Sequence, residues 1–403
     1  MKMIEGGVCA PIGYMASGVH AGIKDSSPKD KLDCALIVST QPAYVSGVFT
    51  KNLMKSPPVY WNQKVCEAGE AQAVFINSGN ANAATGEPGH EDVKTTAEWV
   101  ANGAQYGPEN VLICSTGVIG VPLPMNKIEN GVDDCIDALS AQRGLDAAKA
   151  IMTTDTEAKE YSVEFELGGS MVRIGAVAKG SGMISPNMAT MICILTTDAN
   201  IAKEAMYPLV KAAADISFNR ICIDNDMSTS DTVMLFANGR SDIEEISIGS
   251  PEFSEFQTAL NEVSTHMAHW LVKDGEGSTK FVEIKVSGTE NNDDASAVAR
   301  AIGNSQLCKT AFFGEDPNWG RFAAAIGYAE AQFDPTHLKI SLNSILLCDG
   351  GIAADFVEED AAAIMKKGEF TIHVSAGSGP GEAVFWTSDL SHDYVSINAD
   401  YRT

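Results

Sequence analysis

The stretch that decides the fold comprises residues 179–198 and reads KGSGMISPNMATMICILTTD. It begins as a polar segment rich in glycine and serine, passes through Ser185-Pro186-Asn187, and ends in the apolar run TMICIL at residues 190–195. Glycine, serine, proline and asparagine mark turns, whereas a short apolar run bounded by such residues is typical of a buried strand. The peptide bond between Ala189 and Thr190 therefore lies where a loop becomes a strand. A threonine hydroxyl at such a joint is a candidate nucleophile, although spacing alone favours a plain loop that enters a core strand.

Strand and helix patterns extend outward from this stretch. Residues 161–167 and 171–178 alternate like a hairpin around Gly168-Gly169. Residues 250–272 form the clearest helix, because Ser250 can cap it, proline suits the next position, and its apolar side chains form one stripe. Further strands are predicted at residues 33–39, 44–49, 73–76, 111–114, 232–237 and 281–286. The chain is predicted to be an α/β protein with a large strand content.

The charge balance excludes some function classes. The chain has 403 residues, with 28 basic and 53 acidic side chains and a net charge of −25. Such an acidic surface argues against nucleic acid or an anionic membrane as the main partner. Any anionic substrate would need a local cationic or amide-lined site.

Cysteine and histidine usage indicates the compartment and the absence of a metal site. The nine cysteines are dispersed, and no two have Cys-x-x-Cys spacing, which is typical of reduced thiols in a cytosolic protein. The seven histidines form no metal-like pair, and we expect no metal. The N-terminal residues lack the apolar core of a signal peptide, and no apolar run reaches membrane-spanning length. We expect a soluble, cytoplasmic protein.

Two small polar segments follow predicted strands. Ser115-Thr116-Gly117 comes after residues 111–114 and offers hydroxyls and an unhindered backbone amide at one point. Donors of this kind can stabilise an oxyanion, although a simple strand-to-loop turn explains the motif equally well. Residues 77–83, NSGNANA, follow the strand at 73–76. They could form a site wall, but a solvated turn is the default expectation.

Five segments together resemble one family, the ornithine acetyltransferases, also called glutamate N-acetyltransferases, of arginine biosynthesis. They are KGSGMISPNMATM at 179–191, STGVIG at 115–120, MTTDT at 152–156, GEGSTK at 275–280 and INADYRT at 397–403. The segments have the family's order, and the resemblance runs from Gly7 to the last residue. The departures are apolar: Ile192 where leucine is common, and Ala158 where proline is common.

The resemblance implies roles for particular residues. Thr190 would be the nucleophile, after self-cleavage between Ala189 and Thr190 into an α chain of residues 1–189 and a β chain of residues 190–403. Thr116 and Gly117 would form the oxyanion hole. Substrate would be bound by Thr153, Lys179, Thr190, Glu276, Asn398 and Thr403.

The resemblance also implies an architecture and partners. The fold would be a four-layer α/β/β/α core with an additional lobe, in which both cleaved chains form one intertwined unit. Two α and two β chains would assemble into a heterotetramer. The substrates would be N-acetylornithine and glutamate, with no resident cofactor and with acetyl-CoA as a co-substrate if the enzyme is bifunctional.

Two alternatives from other classes stay open on the residues alone. A self-processing amidohydrolase or aminopeptidase would use the same Thr190 chemistry, with water in place of glutamate resolving the acyl-enzyme. A ligand-binding α/β protein without catalysis would keep the bond before Thr190 intact. The use of acetyl-CoA, feedback regulation and the substrate group that Glu276 contacts are not determined by the sequence.

Overall fold

The computed structural model describes residues 1–24, 28, 30–185 and 191–400. Ala189, Thr190 and Thr403, which the sequence analysis singled out, lie outside these residues. The described chain is built from two β-sheets and surrounding helices, and the predicted α/β class is confirmed.

The strands and helices follow each other in an alternating order. The strands are β1 (Lys2–Met3), β2 (Tyr14–Val19), β3 (Cys34–Phe49), β4 (Glu70–Asn80), β5 (Val111–Val118), β6 (Lys159–Leu167), β7 (Ser170–Lys179), β8 (Ile192–Thr197), β9 (Ile221–Cys222), β10 (Thr232–Ala237), β11 (Phe281–Gly288), β12 (Lys339–Leu342), β13 (Ile345–Asp349), β14 (Ile352–Ala353), β15 (Glu369–Ser375) and β16 (Gly379–Ser388). The helices are α1 (Pro57–Ala68), α2 (Gly86–Ala104), α3 (Met125–Asp137), α4 (Gly144–Ala150), α5 (Lys203–Ile216), α6 (Pro251–Lys273), α7 (Asn292–Asn304), α8 (Gln306–Phe313), α9 (Trp319–Gly327), α10 (Glu358–Met365) and α11 (His392–Ala399).

The larger sheet has the strand order β1-β6-β7-β8-β10-β3-β4-β5, with β2 also paired to β3. The long strand β3 joins two halves of this sheet, one with β2, β4 and β5 and the other with β10, β8, β7, β6 and β1. Its first part pairs with β2 and β4, and its second part pairs with β10. We had predicted two strands separated at residues 40–42, and that prediction was wrong. The ladder with β4 shifts register between Val38 and Ala43, so Pro42, which has no N–H, interrupts no ladder hydrogen bond and the chain stays extended.

The two halves of the larger sheet face each other across a shared core. Alternate side chains of β4 and β8, such as Ile76 and Ile194, lie in this inner core. The intervening side chains point outward, Phe75 toward α2 and α3 and Leu195 toward α5 and α6. Helix, strand, strand and helix layers result, because each strand buries both faces. The predicted four-layer core is confirmed.

The smaller sheet forms the additional lobe, with the order β14-β13-β12-β15-β11-β16-β9. Helices α7 to α10 cover one face of it and share its core. Helix α6 joins the lobe to the main body, because Phe256 and Leu271 of α6 belong to the same buried cluster as Trp386 of β16. The predicted start of α6 is confirmed by the Ser250 side chain, which accepts a hydrogen bond from Phe253 N at 3.3 Å.

Three adjacent strands bring the decisive stretch to the centre of the larger sheet. The β6–β7 hairpin turns at Gly168 and Gly169, as predicted. Strand β8 runs antiparallel to β7, with Ile192 opposite Lys179, and parallel to β10, with Ile192 opposite Thr232. The first residues of β8 are therefore flanked by the last residue of β7 and the first residue of β10.

Candidate active site

A cavity of about 310 Å³ opens beside the end of β7. Most of the predicted site residues line it, although they come from distant parts of the sequence. The lining residues are Ala81, Thr116, Gly117, Val118, Ile119, Thr153, Thr154, Lys179, Gly182, Met183, Ser228, Thr229, Ser230, Glu276 and Asn398. The structure thus brings together every predicted oxyanion and binding residue that it describes.

Thr116 and Gly117 lie near the end of strand β5, where the strand reaches the cavity. The strand extends to Val118, so the expected strand-to-loop turn after Cys114 was placed too early. Gly117 has a φ of 132°, and a Cβ there would lie 2.3 Å from the carbonyl carbon of Gly79 in the neighbouring strand β4. This close approach requires glycine and leaves the backbone at the cavity unshielded by a side chain.

Lys179 is a buried cation at the cavity wall, only 3% exposed. Its Nζ donates a hydrogen bond to Thr153 Oγ1 at 2.7 Å and lies 3.9 Å from Asp155 Oδ2. Burial lowers the pKa of Lys179, and the Asp155 carboxylate opposes that effect. The arrangement places a positive charge and a hydroxyl side by side on an otherwise acidic protein.

A network of buried charges, which the sequence analysis missed, supports this wall. Lys159 Nζ lies 2.8 Å from Asp155 Oδ1 and also contacts the Asp274 carboxylate. Asp155 Oδ1 accepts a hydrogen bond from Gly180 N at 2.7 Å. Burial alone would raise the pKa of Asp155, but the Lys179 and Lys159 ammonium groups outweigh it and hold that pKa well below its usual range. Of the three charged residues in this network, only Asp155 lies in a motif that the sequence analysis had singled out, MTTDT at 152–156.

Glu276 and Asn398 form another part of the cavity wall. Asn398, on α11, donates from Nδ2 to Glu276 Oε2 at 2.7 Å, so the C-terminal helix does fold back onto the site. Glu276 N donates to Ser181 O at 2.8 Å. A Cβ at Gly182 would come within 2.4 Å of the Glu276 carboxyl carbon, so a side chain there would displace the Glu276 carboxylate from its present position.

The segment that precedes β10 contributes further residues that sequence reasoning missed. Ser228, Thr229 and Ser230 line the cavity. Asp224 accepts hydrogen bonds from Met183 N at 2.6 Å and Ile184 N at 2.9 Å, and it thereby holds the chain just before residue 185. A polar composition in the sequence signalled a loop here, but not its contacts.

The polar segment after residue 76 is not a solvated turn, contrary to expectation. Asn77 and Ser78 are each 1% exposed and belong to β4. Asn77 Oδ1 accepts a hydrogen bond from Ser115 Oγ at 2.7 Å, and its Nδ2 donates to Asn80 O at 2.9 Å. The Asn77 amide is thus satisfied by Ser115 of the neighbouring strand β5 and by Asn80 at the end of β4 itself, which is why a polar sequence can continue a core strand.

Residues 15–403 match the model of the ArgJ family. The arginine biosynthesis bifunctional protein ArgJ of Caldanaerobacter subterraneus subsp. tengcongensis is 45% identical over 407 residues, which cover 100% of both chains. The protein of the same name from Geobacter sulfurreducens is 44% identical, over 97% of this chain and 99% of its own. This chain belongs to the ArgJ family. The predicted family is thereby confirmed, as is the prediction of an acyltransferase enzyme.

Two solved structures are similar to parts of the chain. The crystal structure of ArgJ from Bacillus halodurans is 36% identical and covers 51% of this chain and 96% of its own, with a TM-score of 0.49. Ornithine acetyltransferase from Mycobacterium tuberculosis, solved with ornithine, is 37% identical and covers 46% of this chain and 97% of its own, with a TM-score of 0.40. Among the described residues, no helix combines the length and apolar composition that a membrane crossing needs.

Proposed function

We propose that this ArgJ family enzyme transfers the acetyl group of N2-acetyl-L-ornithine to L-glutamate through an acetyl-Thr190 intermediate. The observation that carries the proposal is the cavity in which Thr116, Gly117 and Lys179 meet beside the first residues of β8. Thr190 precedes that strand by two positions in the sequence. The names of the relatives support a place for this reaction in arginine biosynthesis.

Thr190 would become reactive by cleavage of the bond to Ala189, which leaves chains of residues 1–189 and 190–403. An N-terminal threonine has its own α-amine beside its hydroxyl, and that amine can act as general base. Its unperturbed pKa of about 7.7–8.0 suits proton transfer near neutrality. Before cleavage the amine does not exist, so we propose an acyl shift of Ala189 from nitrogen to the Thr190 hydroxyl, followed by hydrolysis.

Both half-reactions would pass through a tetrahedral oxyanion. The Thr116 hydroxyl and the Gly117 N–H are the proposed donors to it. The close packing of Gly117 against Gly79 supports this role, because it fixes the backbone in place before the charge develops. Ornithine would leave after the first half-reaction, and glutamate would take the acetyl group in the second.

The cavity walls suit an amino acid. Lys179 would hold the substrate carboxylate, with Thr153 beside it. Glu276, oriented by Asn398, would hold an ammonium group, and Thr403 would complete the site. A cavity of about 310 Å³ is at the small end of the roughly 300–1,000 Å³ typical of ligand pockets, as expected for an amino-acid derivative.

The remaining features are proposed from the family. The word "bifunctional" in the relatives' names supports a second activity in which acetyl-CoA acetylates glutamate, with no resident cofactor. We further propose a cytoplasmic heterotetramer of two α and two β chains.

An acetyl-transfer assay tests the function. The enzyme is given N-acetylornithine or acetyl-CoA, each with and without glutamate. Formation of N-acetylglutamate and ornithine from the first donor is expected, whereas hydrolysis that does not depend on glutamate would indicate an amidohydrolase instead. In parallel, denaturing mass analysis should find two chains in the wild type and one uncleaved chain in Thr190→Ala; cleavage of that variant would rule out Thr190 as the nucleophile.

A further inference from the structure

Two buried lysines share the carboxylate of Asp155, whose side chain is 0% exposed. Lys159 Nζ lies 2.8 Å from Asp155 Oδ1, and Lys179 Nζ lies 3.9 Å from Asp155 Oδ2. The first distance is that of a charge-assisted hydrogen bond, whereas the second is too long for a hydrogen bond. One carboxylate therefore compensates two cations in two different ways.

Lys159 has all of its ammonium hydrogens engaged. Its Nζ donates to Asp155 Oδ1 at 2.8 Å, to the Asp274 carboxylate and to Glu157 O at 3.4 Å. The Lys159 side chain is 0% exposed. An ammonium group has three donors, so Lys159 has none left for a ligand and is a structural cation.

Lys179 keeps donors available at the cavity that it lines. Among the described residues, its Nζ donates one hydrogen bond, to Thr153 Oγ1 at 2.7 Å. Asp155 takes up none of the remaining donors, because it lies 3.9 Å away. A substrate carboxylate in the cavity can therefore accept hydrogen bonds from this ammonium.

Asp155 also fixes the backbone beside both cavity residues. Its Oδ2 accepts a hydrogen bond from Thr153 N at 3.0 Å, and its Oδ1 accepts one from Gly180 N at 2.7 Å. Gly180 follows Lys179, which ends β7, and Thr153 lies between α4 and β6. The carboxylate thus ties together two segments that carry the ammonium and the hydroxyl of the cavity wall, 26 positions apart in sequence.

The charge of Asp155 matters because Lys179 is buried. Burial lowers the pKa of Lys179, and Asp155 is the strongest of the groups that oppose this effect. Lys159 adds to the lowering of that pKa, whereas Glu276 and Asp231 oppose it more weakly than Asp155 does. A lysine that lost its proton would bind a carboxylate less tightly, because hydrogen bonds between ionised groups are roughly twice as strong as neutral ones.

We propose that Asp155 is a positioning residue for substrate binding: it holds Thr153 and Lys179 in one wall and balances the charge of the Lys179 ammonium while leaving N–H donors to the substrate carboxylate. The inference rests on the proposed function, in which Lys179 holds the carboxylate of N-acetylornithine. The 3.9 Å separation suits this role, because a direct hydrogen bond would occupy a donor. Asp155 acts through its two neighbours and does not itself touch the substrate.

Asp155→Asn tests this role, with Asp274→Asn as the matched control. Both variants replace a buried carboxylate that pairs with Lys159, so a purely structural effect should appear in both. Of the two carboxylates, only Asp155 acts on Lys179. The pKa of Lys179 should fall in Asp155→Asn, which moves the alkaline limb of the kcat/KM profile for N-acetylornithine to lower pH by about one unit or more. Asp274→Asn should keep this limb at the wild-type pH.

The same variants separate substrate binding from turnover. Above the lowered pKa of Lys179, the KM of Asp155→Asn for N-acetylornithine should rise roughly tenfold, which corresponds to one pKa unit, and kcat should change less than KM. A wild-type KM and an unmoved alkaline limb in Asp155→Asn would overturn the inference. An equal displacement of the limb in Asp274→Asn would also overturn it, because the effect would then be structural.

If Asp155→Asn does not fold, the wild-type enzyme decides the question. It is labelled with 13C at the lysine Cε atoms, and the Lys179 resonance is assigned by its loss in Lys179→Met. Lys179 should be charged throughout the pH range of acetyl transfer, and a neutral Lys179 in that range would overturn the inference. Failure of the wild type to transfer acetyl from N-acetylornithine to glutamate would instead reject the proposed function itself.

Discussion

Two buried lysines, one under the active-site cavity and one in the lobe, are held in different ways. Lys159 is 0% exposed and contacts two carboxylates, with its Nζ 2.8 Å from Asp155 Oδ1 and also against Asp274. Lys309, on α8, is 2% exposed and donates to neutral groups, Thr387 Oγ1 at 2.8 Å and the Ser388 carbonyl. Burial lowers the pKa of Lys309.

The difference distinguishes a lysine that supports the active-site wall, Lys159, from one that only supports the fold of the lobe, Lys309. Around Lys159 the aspartates also bind the chain at Gly180 and Thr156, so the charges fix the segments that form the cavity wall. Lys309 fastens the end of β16 to α8, and no carboxylate among the described residues forms an ion pair with it. Asp389 and Asp224 act on it only through their charges. Removing one member of a buried ion pair leaves an uncompensated charge, whereas removing a buried cation that has neutral partners does not.

The largest effect is expected for Lys159→Met. Asp155 and Asp274 would lose their shared cation while remaining buried, which typically costs about 3–5 kcal/mol. Urea unfolding measures the change in the Thr190→Ala variant, which the proposed function predicts to stay uncleaved, with and without Lys159→Met. A loss of stability no greater than that caused by Lys309→Met would contradict the distinction between the two lysines.

Lys179→Met should affect binding more than stability, because Lys179 lies at the cavity and 3.9 Å from Asp155. Loss of a hydrogen bond to a charged substrate group corresponds to a KM for N-acetylornithine that rises roughly ten- to hundredfold. Steady-state kinetics of cleaved enzyme provide the measurement.

Lys31→Met is the control for that prediction. Lys31 Nζ also contacts Thr153, but it donates to the carbonyl oxygen at 3.1 Å and does not line the cavity. Its KM should stay at the wild-type value. Equal KM values for both variants would remove Lys179 from the substrate site.

Lys309→Met should destabilise the lobe less than Lys159→Met destabilises the site. Only hydrogen bonds to Thr387 and Ser388 are lost, for which about 1–3 kcal/mol is typical. The loss of stability is measured by the same urea titration. Acetyl transfer is measured with Thr190 intact, and Lys309→Met should retain it. Loss of activity without loss of stability would show that the lobe lysine serves the site.

The smallest effect concerns His269, where α6 meets the lobe. Its ring packs against Phe281 and Trp386. Burial lowers the pKa of His269 from 6.5 to about 4, and Lys273 and His266 add to this while Glu283 and Glu369 oppose it. The unfolded chain takes up this proton first, so stability should fall as the pH drops from about 6.5 toward 4.

His269→Phe should remove that part of the pH dependence. The free energy of unfolding is measured above pH 6.5 and near pH 4 for the wild type and the variant. His337→Asn, at a side chain that is 67% exposed, is the control and should keep the wild-type slope. An unchanged slope in His269→Phe would assign the acid sensitivity to other groups.

The sequence by itself determined the α/β class, the β6–β7 hairpin, helix α6 and the place where a loop becomes a strand. These features depend on side chains close together in the chain, through period, capping and turn residues. The long motifs also determined the family, and with it six of the residues that the structure finds around one cavity: Thr116, Gly117, Thr153, Lys179, Glu276 and Asn398.

Only the tertiary structure decided which distant groups meet. Asp155 and Asp274 share Lys159 although Lys159 and Asp274 are 115 positions apart, and Asp231 reaches Met191 across 40 positions. Strand β3 passes through Pro42 because the ladder shifts register there. Such contacts arise from the packing of strands and helices against each other, which brings together residues whose local sequence carries no sign of their partner.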